Sequence, residues 1–507
     1  MSLSLSSTIS HAEEFSNTTT TSTESVTPPL SSTQQESAHS PEYIQELTES
    51  WREHPDMNPT LAFPSWAVPV AGKSIQTMIN DPMLQPYLAS RFETVQSIHP
   101  RFKLVRDYNG GDDRTNDKDN TNDSTATPTR QKLILLHPST PAVSKLPRNV
   151  QDILKKCHAS DGPIQSMDFS YQQFTAGHVL SRLLPETLHP PPTAFETIGH
   201  VAHLNLKSHH LPYKTLIGQV LLETLPSIET VIQKLGEVHG PYRTYDFEVL
   251  AGKPTTAVDL TEFGIQLQFD IAKVYWCSRL SEERQRLIRS EFRKEQIVAD
   301  AFCGIGALCL LAAQQLNCTI WANDWNPTAI DYLKENAARN SLSDKMGRVQ
   351  SGDAYDFLTD IGLENARDGV SRLPDHVVLN FPLESPSFLG ALRWWPVPKI
   401  RAKRKVTERE VAKDPDAGAI VPRVHVYTFA RADPETDRSA EEVAVDLVAS
   451  NLLPMGDGVK RRSELNEEYD CRVKTHAVRD VAPGKLVMCV SFSATPKLLR
   501  YMQGDFR

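Results

Sequence analysis

The sequence predicts an α/β protein whose C-terminal half forms a parallel, doubly wound sheet. From residue 295 onward, strand-like and helix-like segments alternate: QIVADAF, GIGALCLLAAQQL, CTIWAND and NPTAIDYLKENAARNSL. VVLNFP, RVHVYTFA and KLVMCVSF follow as further strands. This alternation is typical of a parallel sheet that carries helices on both faces. Ligands of such sheets bind at the carboxyl ends of the strands, where the strand order reverses.

Composition and turn signals divide the 507 residues into a tail and three domains. Residues 1–50 are crowded with Ser and Thr and are predicted to be disordered. Residues 51–165 are assigned to a small N-terminal domain with a disordered polar insert near 109–130. Residues 166–272 contain short strands separated by turns, which favours an α+β domain built on an antiparallel sheet. Residues 273–507 form the doubly wound domain.

The net charge of −9 lies mostly in residues 1–52, which contain seven Glu and one Arg. The remainder includes the basic run KIRAKRK at 399–405, which is either a solvated loop or a phosphate-binding patch. No apolar run of about 18 residues occurs, so no membrane-spanning helix is predicted. The seven cysteines form no CxxC pair, and the HxxH pair His200 and His203 has no third ligand nearby, so neither disulfides nor a metal site is expected. The N-terminus lacks both an apolar signal segment and the Arg residues of a transit peptide, so we expect a soluble intracellular protein.

The segment VADAFCGIGALCLLAA carries the clearest ligand-binding signal. A strand ends at Asp300, and a tight loop with Gly304 and Gly306 opens a helix, so that the backbone can approach a ligand closely. Asp324 ends the second strand, where an acid accepts hydrogen bonds from ribose hydroxyls; this interpretation is favoured over the alternative that it caps the next helix. No third glycine follows to bind a pyrophosphate. A nucleoside cofactor without phosphates, S-adenosylmethionine, therefore fits the loop.

Two further strand ends carry polar candidates. Asp353 follows the third predicted strand, close to where an adenine edge would lie, although an ordinary turn Asp explains it equally well. Asn380 ends the fourth strand, HVVLNFP, and Pro382 makes that tip rigid because its φ angle is fixed. The amide can hold a substrate donor or the cofactor; the alternative is a simple turn Asn.

Charged candidates also lie upstream of the doubly wound domain. VYWCSRLSEERQRLIRSEFRKE begins extended and becomes a helix after Ser281, with Glu283 in its first turn and Arg284 beside it. On charge pattern alone, a solvated helix is the favoured interpretation. Arg243 lies between two tyrosines in GPYRTYDFEVLAG, where it can be either a functional cation or a structural ion-pair partner.

Taken in order, these motifs resemble the archaeal/eukaryotic-type tRNA (guanine(37)-N1)-methyltransferases. The matching segments are GPYRTYDFEVLAG, FDIAKVYWCSRLSEER, VADAFCGIGAL, ANDWNP, GDA, NFP, HVYTF and VRDVAPGKLVMCVSF. The resemblance covers residues 175–496. It implies a Rossmann-like methyltransferase domain that uses S-adenosylmethionine, preceded by an α+β domain and a small N-terminal domain that docks on tRNA. The chain departs from the family at Phe381, where Leu is usual, at Ser385, where Ala is common, and in a basic insert at 393–405.

The resemblance also implies roles for individual residues. Glu283 is the general base for guanine N1, Arg243 stabilises the charge that develops on O6, and Asn380 acts beside the base. The residues expected to bind the cofactor, including the glycine loop, are Arg284, Asp324, Trp325, Asp353, Ala354, Asn380, Asp300, Gly304 and Gly306. The residues expected to bind the substrate are Arg279, Tyr275 and Pro382.

We therefore predict a monomeric enzyme that methylates N1 of guanosine 37 in tRNA. We expect it in the cytoplasm and nucleus, with a mitochondrial matrix pool left open. The alternatives are a methyltransferase that acts on another RNA base and a catalytically dead methyltransferase fold that binds RNA. Phe381 separates Asn380 from Pro382, which disfavours the Asn-Pro-Pro-aromatic motif of amine methylation. The presence of Glu283, Arg243 and the glycine loop disfavours a dead enzyme.

Overall fold

The computed structural model describes residues 40–53, 57–69, 72–98, 102–108, 131–368, 373–398, 421–453 and 462–504. Three sequence features lie outside these ranges: the tail up to residue 39, the polar insert at 109–130 and the basic run at 399–405. In the described part of the chain, no helix has the length and apolar character needed to cross a membrane.

The N-terminal unit is a four-stranded antiparallel sheet with strand order β2-β3-β1-β4. Its strands are β1 (Thr60–Pro69), β2 (Val105–Tyr108), β3 (Gln131–Leu135) and β4 (Ser160–Asp168). Its helices are α1 (Pro41–Ser50), α2 (Gly72–Asn80), α3 (Glu93–Ile98) and α4 (Arg148–Lys156).

Helix α1 corrects the expectation that the disordered tail extends to residue 50. Ser40 caps the helix by accepting a hydrogen bond from the Tyr43 amide at 3.1 Å, and Pro41 occupies its first turn, where a missing N–H costs nothing. Ile44 is buried in a core that also contains Leu216 and Leu221 of the middle unit. Local capping and a distant apolar surface together order this segment.

The middle unit is a four-stranded sheet with order β5-β6-β7-β8. Its strands are β5 (Phe195–Ile198), β6 (Val201–Leu204), β7 (Thr230–His239) and β8 (Thr244–Gly252), and its helices are α5 (Ala176–Leu183) and α6 (Lys214–Thr224). The expected antiparallel pairing is confirmed for β5 with β6 and for β7 with β8, whereas β6 and β7 pair in parallel. Helix α6 lies between these two strands in the chain and supplies the crossover that parallel pairing requires.

The third unit contains a seven-stranded sheet with order β13-β12-β11-β14-β15-β17-β16. Its strands are β11 (Ile297–Asp300), β12 (Thr319–Asp324), β13 (Met346–Ser351), β14 (His376–Leu379), β15 (Arg423–Arg431), β16 (Lys474–Ala482) and β17 (Lys485–Ser493). Its helices are α7 (Ser281–Ser290), α8 (Ala307–Leu316), α9 (Pro327–Arg339), α10 (Ala354–Asp368), α11 (Ala440–Leu452), α12 (Arg462–Glu467) and α13 (Pro496–Gln503). The strand order reverses between β11 and β14, which places the ligand-binding edge there.

The sheet is mixed rather than wholly parallel as expected. Strand β17 pairs antiparallel with both β15 and β16. Strands β16 and β17 are joined through a tight turn at Gly484, whose φ is +70°, and so short a connection can only join antiparallel strands.

The hairpin of β9 (Ala257–Glu262) and β10 (Ile265–Asp270) lies in the sequence range assigned to the middle domain. It packs instead on the third unit: the Gln268 amide donates to Asn336 Oδ1 of α9 at 2.8 Å. Leu267 and Phe269 share an apolar core with Leu310 of α8. The division at residues 272 and 273 therefore separates this hairpin from the core to which it belongs.

Candidate active site

A cavity of about 110 Å³ lies at the carboxyl ends of β11 and β14, where the strand order reverses. The predicted site residues that line it are Tyr275, Glu283, Arg284, Asp300, Gly304 and Asn380. Apolar and thiol side chains, among them Leu287 and Cys303, make up much of the remaining wall. Helix α7, the glycine loop and the tip of β14 thus converge on one small space.

The two glycines of the loop have different reasons to be glycine. Gly304 has φ +53° and no atom within 4 Å of where a Cβ would lie, so it leaves open space beside the cavity. Gly306 has φ +89°, and a Cβ there would lie 2.1 Å from Leu333 Cδ1. Gly304 therefore keeps room for a ligand, whereas Gly306 lets helix α8 pack against helix α9.

Asp324 closes the glycine loop onto strand β12. Its Oδ2 accepts the Gly304 amide at 2.8 Å and its Oδ1 accepts the Asn326 amide at 2.9 Å. Burial raises the pKa of Asp324, although both amide hydrogen bonds act in the opposite direction. Asp324 does not cap helix α9. Asn326 caps it instead, because its side chain accepts the Thr328 amide at the start of the helix.

Asp300 is a buried carboxyl on the cavity wall, and burial raises its pKa to about 7. Its Oδ1 accepts the Phe302 amide at 3.1 Å, and the Cys309 thiol lies 3.7 Å from Oδ2. The nearby charge of Asp324 raises the pKa further. Asp300 is therefore a group whose charge changes near neutral pH.

Asn323 is a structural member of this site that the sequence reasoning missed. It is fully buried, and its Nδ2 donates to the carbonyl oxygens of Ala301 at 3.2 Å and Gly352 at 2.9 Å. These bonds tie the loop after β11 to the loop after β13. Its position directly before Asp324 in ANDWNP is the signal that could have identified it.

The remaining predicted cofactor residues lie at the adjoining ends of β12 and β13, outside the cavity lining. Trp325 is 60% exposed and Ala354 is buried. Asp353 is exposed and accepts the Tyr355 amide at 2.7 Å, so it caps helix α10. This hydrogen bond agrees with the interpretation of Asp353 as a turn residue. It uses one carboxylate oxygen, so the second oxygen remains for a ligand.

Glu283 is the most heavily bonded carboxylate at the cavity. Arg286 donates to both of its oxygens, from Nε at 2.6 Å and from Nη2 at 2.7 Å. The Tyr427 hydroxyl donates to Oε1 at 2.6 Å, and His476 Nε2 lies 3.5 Å from Oε2. Only 5% of the Glu283 side chain is exposed, so the solvated-helix interpretation is wrong for this residue.

Two neighbours of Glu283 keep their protons at neutral pH. Burial and nearby acidic groups raise the pKa of Tyr427 well above its ordinary value. Burial, followed by the charge of Glu283, raises the pKa of Cys489 to about 11. Burial lowers the pKa of Arg286, but its hydrogen bonds to Glu283 outweigh this and raise it overall. Sequence reasoning missed Arg286 and Tyr427. Tyr427 stands in the matching segment HVYTF, which was the available signal, whereas Arg286 lies two residues beyond the segment that ends at Arg284.

Two predicted arginines lie differently from the expectation. Arg284 reaches the cavity wall, but its guanidinium is engaged by Glu262 of β9 in a bidentate pair at 2.7 and 2.6 Å. It also lies 5.0 Å from the Trp276 ring centroid. Arg279 is exposed and does not line the cavity.

The tip of β14 is held rigid by Ser385 as well as by Pro382. The Ser385 hydroxyl accepts the Phe381 amide at 2.9 Å and donates to the Leu379 carbonyl oxygen at 2.9 Å. The Pro382 carbonyl accepts the Phe429 amide at 3.0 Å. The departure from the usual Ala at residue 385 thus adds a buried hydrogen-bond anchor directly after Asn380.

Phe381 connects Arg243 to the tip. Arg243 lies in the turn between β7 and β8 with φ +56°, and its Cζ is 5.6 Å from the centre of the Phe381 ring. Phe381 in turn stacks on Phe302, with ring centres 5.4 Å apart and planes at 25°. The aromatic ring at the position where Leu is usual in the family therefore holds a cation from the middle unit next to the β14 tip, although neither Arg243 nor Phe381 lines the cavity.

The site fits a nucleoside that carries a sulfonium group. Gly304 leaves open space next to the cavity, Asp300 lines it with an acidic group, and Asp324 holds the glycine loop in place through the Gly304 amide. Among the described residues, no group of three or more His, Cys, Asp or Glu is placed to hold a metal ion.

Comparison with known proteins agrees with this arrangement. Residues 259–393 match the family model described as the TRM5/TYW2 methyltransferase domain, and residues 177–255 match the TYW2 N-terminal domain. The chain is 57% identical over 474 residues to tRNA (guanine(37)-N(1))-methyltransferase 2 of Phaeodactylum tricornutum, covering 89% of this chain and 77% of the relative. It is 32% identical over 379 residues to tRNA (guanine(37)-N(1))-methyltransferase of Drosophila melanogaster, covering 73% and 75%.

The fold is also found in a solved structure. The crystal structure of wild-type Trm5b from Pyrococcus abyssi superposes with a TM-score of 0.52 and 19% sequence identity. The match covers 85% of this chain and 99% of that one. At this identity the similarity establishes the shared fold.

Proposed function

Because the chain belongs to the tRNA (guanine(37)-N(1))-methyltransferase family, we propose that it methylates N1 of guanosine 37 in tRNA. The observation that carries the proposal is the convergence of Glu283, Asn380 and the glycine loop on one cavity. A carboxylate for the N1 proton, an amide for the base and a nucleoside-binding loop for the methyl donor are then within one site.

The cofactor S-adenosylmethionine supplies an activated methyl group on a sulfonium. Asp300, Gly304 and Asn380 would hold it from the cavity wall, and Asp324, Trp325, Asp353 and Ala354 would hold its nucleoside end along the edges of β12 and β13. Gly306 supports this arrangement through the packing of α8 and α9. The chain contributes alignment, which is the main requirement of a displacement at a methyl carbon.

The chain's own residues handle the proton and the charge. Glu283 takes the proton from guanine N1 so that the nitrogen lone pair becomes available. The negative charge that develops on O6 is stabilised by Arg243, whose guanidinium packs against the ring of Phe381. Tyr275 and Pro382 border the base at the cavity and at the β14 tip, and Arg279, exposed on the surface, meets tRNA outside it. The target base must leave its stack to reach this site.

The wider assembly follows from the same proposal. The N-terminal unit docks on tRNA outside the anticodon loop, and the enzyme acts as a monomer. All seven cysteines are free thiols and six are buried, which fits a reducing compartment. We place the protein in the cytoplasm and nucleus, with a mitochondrial matrix pool to be tested by fractionation.

A methylation assay tests the proposal. Purified full-length protein with labelled S-adenosylmethionine should label an unmodified tRNA transcript that has guanosine at 37, and should leave the matched adenosine-37 transcript unlabelled. Equal labelling of both transcripts would point to another RNA base. Binding of both transcripts without any labelling would point to a catalytically dead, RNA-binding fold.

A further inference from the structure

The proposed reaction does not say which group receives the proton after Glu283 has taken it from guanine N1. Both of its oxygens already accept hydrogen bonds from Arg286, and Oε1 accepts a third from Tyr427. A proton arriving from guanine N1 therefore competes with three donors for the same oxygens. The carboxyl group is also nearly sealed from water, with 5% of its side chain exposed. A second acceptor next to Glu283 would remove both obstacles.

His476 meets the requirements for that acceptor. Its Nε2 lies 3.5 Å from Glu283 Oε2, and 44% of its side chain is exposed, so it reaches from the buried carboxylate to solvent. It lies on strand β16, at the outer edge of the sheet, and does not line the cavity. Glu283 is thus positioned between the cavity on one side and a solvent-exposed imidazole on the other.

The other groups that face His476 cannot accept this proton. Arg286 is permanently cationic. The raised pKa values of Tyr427 and Cys489 mean that both already carry their protons. Cys489 is the residue opposite His476 in the pairing of β16 with β17. Burial and the charge of Arg286 lower the pKa of His476, which leaves it neutral at neutral pH.

We propose that His476 accepts the proton that Glu283 takes from guanine N1, so that the two side chains act together as the base. The N1–H bond breaks and the proton moves to Glu283 Oε2, which leaves the electron pair on N1. That pair would form the new N1–CH3 bond while the bond from the methyl carbon to the donor sulfur breaks, its electron pair staying on sulfur, so that the donor would leave as a neutral thioether. The proton passes from there to Nε2 of the neutral imidazole and then from the imidazolium to water. Glu283 returns to the carboxylate and forms an ion pair with the transient imidazolium. The inference rests on the proposed function. His476 acts through Glu283 and does not touch the substrate, so it is a positioning residue.

Single-turnover methylation of the guanosine-37 transcript tests this role. His476→Ala should lower the rate by about 10²-fold at pH 7.5, the lower end of the range for acid–base groups. Added imidazole should restore part of the rate, because the exposed position leaves room for it. The wild-type rate should fall at acidic pH as His476 becomes protonated, at a lower pH than an ordinary histidine because its pKa is lowered, whereas His476→Gln should lose this limb of the profile.

The controls separate this role from folding and from the proposed function. Cofactor binding by both His476 variants should match the wild type, and imidazole should not affect His158→Ala, which alters an exposed histidine of the N-terminal unit. An unchanged rate in His476→Ala overturns the inference. A reduced rate with no imidazole rescue and a wild-type pH profile also overturns it, because such a loss is merely structural. Failure of the wild-type enzyme to methylate the transcript would instead contradict the proposed function.

Discussion

Two carboxyl groups line the same cavity, Glu283 from helix α7 and Asp300 from strand β11, and their surroundings differ. Both are buried, with 6% and 3% of their surface exposed. Glu283 has a bidentate cation, Arg286, and a hydroxyl donor. Asp300 has one backbone amide and a thiol, and within the described ranges no cation bonds to it. Equal burial therefore produces one carboxylate with a compensated charge and one carboxyl whose pKa is about 7.

This difference predicts separate roles for the two sides of the cavity, the side formed by helix α7 and the side formed by the glycine loop. Under the proposed function, Glu283 on helix α7 is the charged group that takes a proton, whereas Asp300 beside the glycine loop has a pKa of about 7. Four substitutions test this division, from the largest expected effect to the smallest.

Glu283→Gln should have the largest effect, because an amide cannot accept the N1 proton. We expect single-turnover methylation to fall by about 10²–10⁴-fold, the usual contribution of a general base. Cofactor affinity, measured by calorimetry, should change little, since Glu283 acts on the proton of the base. Glu282→Gln is the matched control: this neighbour is exposed and should retain the wild-type rate. Equal rates for wild type and Glu283→Gln would remove Glu283 from its proposed role.

Gly306→Ala should destabilise the glycine-loop wall. The new Cβ would lie 2.1 Å from Leu333 Cδ1 at a φ of +89°, so we expect the free energy of unfolding to fall by about 2–4 kcal/mol from backbone strain and overpacking together.

Gly304→Ala is its matched partner, with positive φ but open space around the Cβ position. It should lose less stability in denaturant titrations but more cofactor affinity, because its methyl group enters the space beside the cavity. Similar stability losses in the two variants would contradict the distinction between the glycines.

Asp300→Asn should have the smallest effect of the four substitutions. The direction of its effect on stability shows in the pH dependence of the free energy of unfolding. The pKa of Asp300 is about 7 in the folded protein against an ordinary 3.8. Its protonated form therefore contributes stability that is fully present below pH 3.8 and is lost as the pH rises through 7. The amide is always neutral, so the stability of the variant relative to wild type should increase as the pH rises from 3.8 through 7 and should stay higher above it. Melting curves at several pH values measure the difference, and a pH-independent difference would argue against a titrating Asp300.

The order of the elements in the catalytic unit could be predicted from the sequence, because local signals encode it. Alternating apolar segments specify strands and helices, and glycines at positive φ specify the loop between β11 and α8. Position within these elements also identified Asp300 and Asn380, since each stands at a strand end. Glu283 was identified through the family resemblance, because its charge pattern alone favoured a solvated helix. These three residues do line one cavity.

Pairings between distant segments were decided only by the tertiary structure. Tyr427 donates to Glu283 across 144 residues of sequence, and Arg243 from the middle unit lies over Phe381. His476 reaches Glu283 from an edge strand whose antiparallel direction the sequence pattern did not predict. Hydrogen bonds and ion pairs of this kind leave no periodic trace, because each partner is a single residue on a separate element. The chain thus specifies by itself where the reactive groups stand, and the packed sheet decides which neighbours control their protons.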